Sequence, residues 1–425
     1  MIKDGVKECI EDLLASRLKC VDLAFALVCL FSFSTIHAQQ LLPISYDTLE
    51  RSNFIQLNGF GFHQSSSLKN DFTGKFLFGG EITDEIKDNS LDQQGLFNKL
   101  GADVSSDLTY FFKPQFLADN QLGLYATVGQ YYHFASEYSE DFYAFAFYGN
   151  NRFENTGISL GNTRAMYIDY NKIGFGIYDE KTKNSVGLNF VVVNDFFRTV
   201  VGRGGLFNNT NDNLIDFDID FYYQNAVSHA QFQGAGVSLD FDYNMKIKDG
   251  GLFDGFVQIA GRNLGGVNIH RVQQWSMRNA GTYSGFSFSD IASIFGGEGN
   301  IDLMDTLGID YRQSSTFVAL PGYIQIGKIV DQHSETDFQV FFGARMYTTM
   351  AYFPMVYAGG HYALNEHFSM GGQVSYGGFG NIRGGMYFMY NTELFSVGGG
   401  TEDLVGFIPS IGFGRSAVLR MTYKW

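Results

Sequence analysis

Five carboxylates stand at alternate positions of two segments: Asp216, Asp218 and Asp220 within 215–221, and Asp240 and Asp242 within 237–248. Successive side chains of a strand point to opposite faces, so each set shares one face of its strand. Facing a common interior, the five make one of two things. They are a cation-attracting, calcium-binding patch, since carboxylate oxygens suit hard cations, or simply the polar wall that a barrel needs opposite its lipid face. Arg345, Arg383 and Arg420, with Lys424, occupy alternate positions of C-terminal segments and can face the same interior. There they either set up a transverse field that orients a passing solute or form salt bridges that close its path.

Other chemistry finds little support. The eight histidines (His37, His63, His133, His229, His270, His333, His361 and His367) show no metal-ligand spacing on one element. No nucleophile elbow, P-loop or dinucleotide fingerprint is present. Gly202-Arg203-Gly204-Gly205 and Gly398-Gly399-Gly400 lack the following helix that would cradle a phosphate. No catalytic residue, metal or cofactor is expected, and the chain reads as something other than an enzyme.

The elements that would position these charges alternate with period two. The stretch 237–248 does so over twelve residues, which span roughly 40 Å and cover a tilted bilayer crossing. A strand of a soluble sandwich is about half that long. At the C-terminus Leu419, Met421, Tyr423 and Trp425 are apolar, and Arg420, Thr422 and Lys424 between them are polar; Val418 breaks the pattern. A two-faced strand ending on an aromatic suits the closing strand of an outer-membrane barrel, which must leave no edge. It resembles the signal that the outer-membrane assembly machinery reads. The segments 54–62, 108–112, 122–134 and 142–148 are also read as strands. In the last, Tyr143, Phe145 and Phe147 would face lipid and Ala144 and Ala146 the inside.

Polar turns at Asp249-Gly250-Gly251, 331–336, Asn365-Glu366-His367 and Asn391-Thr392-Glu393 alternate with longer connections at 263–316, 348–354, 379–385 and 399–413. Short turns alternating with long loops are the habit of such barrels. The expectation is an all-β, antiparallel transmembrane barrel over 54–425, of 12 to 16 strands and preferably 14. A piece near 213–224 is either a long hairpin extension or a broken strand. The long segment 271–315 is read as a loop that folds over or into the pore, with short helices in 286–295 and 300–308. The stretch 84–100 is a loop or short helix.

Composition agrees. The 425 residues include 43 Phe, 25 Tyr and 51 Gly but only 5 Pro, and 17% are charged, which is aromatic-rich and charge-poor for a soluble chain. The apolar run 23–33, flanked by Arg17 and Lys19 and by a small-residue exit at Ala38, has the layout of a signal peptide, giving 1–38 as leader and 39–53 as an N-terminal segment. The acidic residues Asp4, Glu8, Glu11 and Asp12 fit no leader, and point to translation beginning nearer Leu18. All three cysteines (Cys9, Cys20, Cys29) precede the cleavage site, so the mature chain would hold neither disulfide nor thiolate ligand. Cys29 follows Ala26-Leu27-Val28, which lacks the small residue a lipoprotein needs before it. A net charge of −15, or −14 without the leader's four basic and five acidic groups, disfavours nucleic acid as a partner.

The residues Tyr167-Ile168-Asp169-Tyr170-Asn171-Lys172-Ile173-Gly174-Phe175-Gly176 and Val186-Gly187-Leu188-Asn189-Phe190 resemble a stretch shared by outer-membrane barrels of Bacteroidota. So do Gly236-Val237-Ser238-Leu239-Asp240-Phe241-Asp242-Tyr243, Asn263-Leu264-Gly265-Gly266-Val267 and Ser315-Thr316-Phe317-Val318-Ala319-Leu320-Pro321. The resemblance covers about 155–425. More distantly the chain is similar to accessory barrels of type IX secretion and to long-chain fatty-acid transporter barrels. These resemblances imply a fold and a place, the cell outer membrane, but no mechanism. Outer-membrane lipid, the assembly machinery and other envelope proteins are the partners to expect. Two functions follow as expectations: transport of a small or apolar solute, or a structural or secretion-associated role carried by protein partners.

Overall fold

The computed structural model describes residues 53–117, 121–182, 184–209, 214–227, 232–248, 251–283, 308–331, 334 and 336–425. The leader 1–38 and nearly all of 39–53 lie outside them. The strands are β1 (Phe54–Ser65), β2 (Asn98–Phe112), β3 (Leu122–Tyr138), β4 (Gly157–Ser159), β5 (Thr163–Asp179), β6 (Ser185–Asn209), β7 (Leu214–Ala226), β8 (Gly234–Ile247) and β9 (Gly255–Tyr283). Then follow β10 (Ile309–Ala319), β11 (Tyr323–Ile329), β12 (Phe338–Tyr347), β13 (Phe353–Ala363), β14 (Phe368–Gly378), β15 (Arg383–Asn391), β16 (Phe395–Thr401) and β17 (Gly414–Lys424).

Alternation of apolar and polar residues makes each strand two-faced, and antiparallel pairing of neighbours closes the ring. The last bond joins β1 to β17, from Phe54 opposite Lys424 to Gln64 opposite Gly414. Seventeen strands make fourteen crossings, because three crossings are interrupted. Both β4 and β5 pair with β6; both β7 and β8 pair with β6 and β9; both β10 and β11 pair with β9. The third interruption is Leu320-Pro321-Gly322. Proline has no N–H for the ladder, and the Gly322 N–H turns back to the Leu320 carbonyl at 2.7 Å. The closed 14-stranded barrel is the preferred sequence reading, and 214–226 proves to be the first half of a broken crossing.

Outward positions are apolar. Ile173, Phe175 and Ile177, Val186, Leu188 and Phe190, and Met421, Tyr423 and Trp425 are all exposed. So broad an apolar belt on a sheet with no edge is a lipid-facing surface. The rim that carries both Phe54 and Trp425 also carries the short turns. In one of them Asn365 Oδ1 accepts from the His367 and Phe368 N–H groups at 2.9 and 2.8 Å. There Tyr110 stacks on Trp425 at 5.8 Å, and Tyr423 on Trp425 at 5.7 Å, an aromatic belt at the membrane–water boundary. Short turns mark the periplasmic end. Leu419, Met421, Tyr423 and Trp425 thus face out at the closing seam, and Val418, the exception to the pattern, is buried inside the barrel.

Two expectations change. Residues 142–148 belong to a helix, α3 (Glu140–Tyr148), which packs with α1 (Asn70–Phe78) and α2 (Asp84–Leu91) over the outer rim. Phe–Ala alternation fits a period of two, but Ser139 Oγ accepts from the Phe142 N–H at 3.1 Å and caps a helix. Its i,i+4 rings then close on α1, with Phe72 to Phe147 at 5.0 Å and Phe72 to Tyr143 at 5.7 Å. The second change concerns 271–315. Residues up to Tyr283 continue β9, and β10 starts at Ile309 opposite Met277. With β6 and β7 these strands form a tall rise, and only 284–307, where the short helices were expected, lies outside the described residues. The run Gln273-Gln274-Trp275-Ser276-Met277-Arg278 has no clean period because this part of the sheet stands clear of the lipid.

The barrel lumen as candidate functional site

Inward side chains fill the barrel in layers. Nearest the periplasm they leave a cavity of about 180 Å³ that reaches a rim of rings. Phe54 stacks on Phe111 at 4.3 Å, and Phe111 meets Tyr178 edge-on at 5.2 Å. Above the rim are two charged walls. On one, β5, β8 and β9 bring Lys172, Asp240, Asp242 and Arg262 together. The Lys172 ammonium lies 2.8 Å from Asp240 and donates to Asn263 Oδ1 at 2.9 Å. Asn263 in turn gives its backbone N–H to Asp240 at 2.6 Å, from a left-handed backbone (φ +53°) at the β8–β9 bulge. Arg262 pairs with Asp242, which also accepts from Gln258 at 2.8 Å. Across the lumen, Asn58 donates to Asp107 at 2.9 Å and accepts from Arg420 Nε at 3.2 Å. Thr422 and Lys424 continue that row toward the rim.

The ceiling of the cavity is aromatic. Tyr131 stacks on Tyr170 at 5.1 Å, Tyr323 meets Tyr347 at 5.4 Å, Tyr347 meets Tyr352 at 4.8 Å and Tyr352 meets Phe379 edge-on at 5.1 Å. Phe379 is seated on the bare backbone of Gly101, where a Cβ would stand 2.2 Å from the ring. The space left among these rings is about 20 Å³, room for a single water. Among them His133 joins Asp103 (3.0 Å) to Thr349 (3.2 Å). Carboxylate, imidazole and hydroxyl stand in the order of a nucleophilic triad. The ring is nonetheless enclosed by Tyr347 and Phe379, with no room beside it for a substrate. The chain of bonds ties the outer turn 348–352 to the wall. Behind the rings the outer half of the lumen on this side is packed by Val191, Val193, Val267, Ile269, Val272 and their neighbours, all fully buried.

The five expected carboxylates do not meet. Asp240 and Asp242 lie in the cavity. Asp216, Asp218 and Asp220 lie about twenty residues earlier on the same crossing, tens of ångströms away, on the part of β7 that rises above the barrel. There Asp218 pairs with Arg203 at 3.1 Å, Asp220 with Arg278 at 3.2 Å, and Asp216 accepts from Thr282. Among the described residues no three His, Cys, Asp or Glu side chains are grouped to hold a metal ion.

The basic residues are inside but apart. Arg420 belongs to the cavity. Arg345 lies beside the ring layer, two residues before Tyr347 on β12 and bonded to Gln325, with Glu402 at 3.2 Å and both side chains 3% exposed. Arg383 is higher still, bonded to Gln64, to Ser375 Oγ at 3.5 Å and to Met355 Sδ at 3.0 Å. Local pairing therefore replaces the transverse field. Glu402 and Asp403 begin the outer loop 402–413, where burial pushes the Asp403 carboxyl above the usual carboxylate range, against the pull of the Gly406 N–H and Arg383. Sequence reasoning missed Lys172, Arg262, Asp107 and the rings. Lys172 is the one lysine of β5, and that was its one visible signal.

No protein-family model matches the chain, and no curated protein is significantly similar to it. Among solved structures it is similar to a "TodX deltaS2S3 mutant monoaromatic hydrocarbon channel", at 9% identity over 93% of this chain and 94% of that one, with a TM-score of 0.42. It is also similar to the P. putida toluene transporter TodX (8% identity, 90% and 92% covered, TM-score 0.39) and to the translocator domain of autotransporter NalP from Neisseria meningitidis (9%, 89% and 91%, 0.31). These are loose likenesses between barrels.

Proposed function

We propose that this outer-membrane barrel carries a small solute, apolar over part of its surface, between the cell exterior and the periplasm. The observation that supports it most is the blind cavity beneath a ceiling made of side chains. A barrel with only a scaffolding role has no use for a lumen left hollow on one side of a ring layer. Tyrosine and phenylalanine rings can rotate aside without breaking the backbone ladder, and passage then requires the apolar side chains packed in the outer half of the lumen to shift as well. The reading assigns no chemical step to the protein.

The test is flux. Proteoliposomes holding the wild type and Phe379→Ala should differ, the variant passing small neutral solutes and small ions severalfold faster. Equal, negligible flux through both sinks the route.

A second reading rests on the rise of β6, β7, β9 and β10 above the barrel. Its outward face carries Trp275 between Tyr223 (5.6 Å) and Tyr311 (5.3 Å), a surface suited to another envelope protein. Stoichiometric co-purification of a partner in mild detergent, lost on Trp275→Ala, would favour it over transport.

A further inference from the structure

We infer that the outer loop 404–411 is an anchor in the outer leaflet of the membrane, its apolar side chains seated among lipid tails. The inference needs only the outer-membrane barrel and stands whether or not the lumen conducts. The loop is built inside out. Leu404, Val405, Phe407, Ile408 and Ile411 are 41% to 62% exposed. Glu402 and Asp403, just before them, are buried against Arg345 and the Gly406 N–H. A loop surrounded by water turns its charges out and its large apolar groups in. Single exposed apolar residues are ordinary, but a contiguous set of them marks a surface that something apolar covers.

Backbone bonds keep these side chains where they are. The Gly406 carbonyl accepts from Arg415 Nε at 2.9 Å and from the Asn70 side-chain amide at 2.8 Å. The Pro409 and Gly412 carbonyls accept from the Asp71 and Asn70 N–H groups at 3.1 and 2.8 Å. Arg415 decides on which side of the wall the loop lies. Ser416, Val418 and Arg420 point into the lumen and are buried, so Arg415 shares the outward face of β17 with Met421 and Trp425. The loop is tied to the lipid side of the closing strand, in line with the apolar belt below it.

Height decides what surrounds it. From Trp425 back to Arg415 is roughly 33 Å of strand and about 25 Å of height at the usual tilt, the full thickness of the apolar band. On β5 the outward face makes the same change. Ile177, Phe175 and Ile173 are exposed, and Asn171 and Asp169 follow, joined through Asn194 at 3.2 and 3.0 Å. The loop thus sits where tails give way to headgroups, a level at which basic and apolar side chains anchor together.

Tryptophan fluorescence tests the anchor in single barrels held in lipid nanodiscs, with the parent emission of Trp275 and Trp425 subtracted. Phe407→Trp and Ile411→Trp each add one indole to the loop, and Asp218→Trp adds one to the rise as a reference in water. Lipid brominated on its acyl chains should quench the added emission at both loop positions by about half and leave the reference unchanged. Acrylamide in the buffer should do the reverse. A loop variant that loses heat-modifiable migration is replaced by Leu404→Trp. Either loop position quenched by acrylamide as strongly as the reference overturns the anchor. Emission shielded from both quenchers overturns it too, since the barrel's own chain then covers the loop.

Discussion

The barrel has a tall side and a short one, and charge behaves differently on each. On the tall side β6 runs 25 residues and β9 runs 29. On the short side β12 to β17 run 7 to 11. The tall side carries its aspartates into solvent, where Arg203 and Asp218 pair with side chains 56% and 48% exposed. The short side stops near the lipid boundary, so its outer connections fold inward and bury their charges, as Glu402 does against Arg345 of β12. Both sides bear opposite charges at ion-pair distance. Water around the first screens its attraction almost to nothing, and the lack of water around the second makes each partner depend on the other.

Cutting one partner from the buried pair should give the largest effect. Glu402→Ala leaves the Arg345 guanidinium inside the lumen with Gln325 as its remaining side-chain partner at 3.4 Å. The expected cost is about 3–5 kcal/mol, read from urea unfolding of the barrel in lipid vesicles. A loss below about 1 kcal/mol would mean that water reaches the pair and the short side is not closed.

Next comes the lipid face of the closing strand. Tyr423→Asp puts a charge near the periplasmic boundary, where the penalty is at most about 1 kcal/mol, less than at the midplane. Together with loss of the terminal aromatic it should slow assembly, measured as the fraction of heat-modifiable protein on a gel. Unchanged assembly in Tyr423→Asp and in a chain lacking Trp425 would remove the terminus from any part in insertion. This strand was the most legible piece of the sequence, because lipid outside and polar groups inside force a strict period of two on it. The same force made the crossings countable and sent Arg345, Arg383 and Arg420 inward. It acts only within the bilayer. Above it, 271–283 loses the period and reads as a loop, and at the rim the Phe–Ala alternation of 142–148 passes for a strand until its cap is seen. The cavity was hidden for another reason. Lys172, Asp240, Arg262 and Arg420 come from four strands, and only closure of the ring brings them together.

Exposed charges on the tall side should matter least to stability. Asp218→Asn combined with Asp216→Asn should shift unfolding by less than about 1 kcal/mol. Calcium should stabilise the wild type no more than the variant, since these carboxylates face Arg203 and Thr282 and stand far from Asp240 and Asp242. A calcium-dependent rise in the thermal midpoint that the double variant abolishes would show a site on the rise and reverse the comparison.

The smallest effect returns to the short side and sets its pH dependence. Burial raises the Asp403 carboxyl above its unfolded value, so the folded chain holds that proton more tightly than the unfolded chain does. The sign follows directly. Stability from this group is greatest below the ordinary carboxylate pKa of about 4, and falls as pH rises from there through the raised value. Above both values the penalty is constant. Asp403→Asn keeps an oxygen for the Gly406 N–H, bonded at 2.9 Å, and cannot ionise. Its unfolding midpoint in urea should match the wild type at acid pH and exceed it slightly at neutral pH. A variant weaker than the wild type at neutral pH would show that Asp403 is held as an anion by Arg383, and that the outer loops of the short side are bound by charge instead of burial.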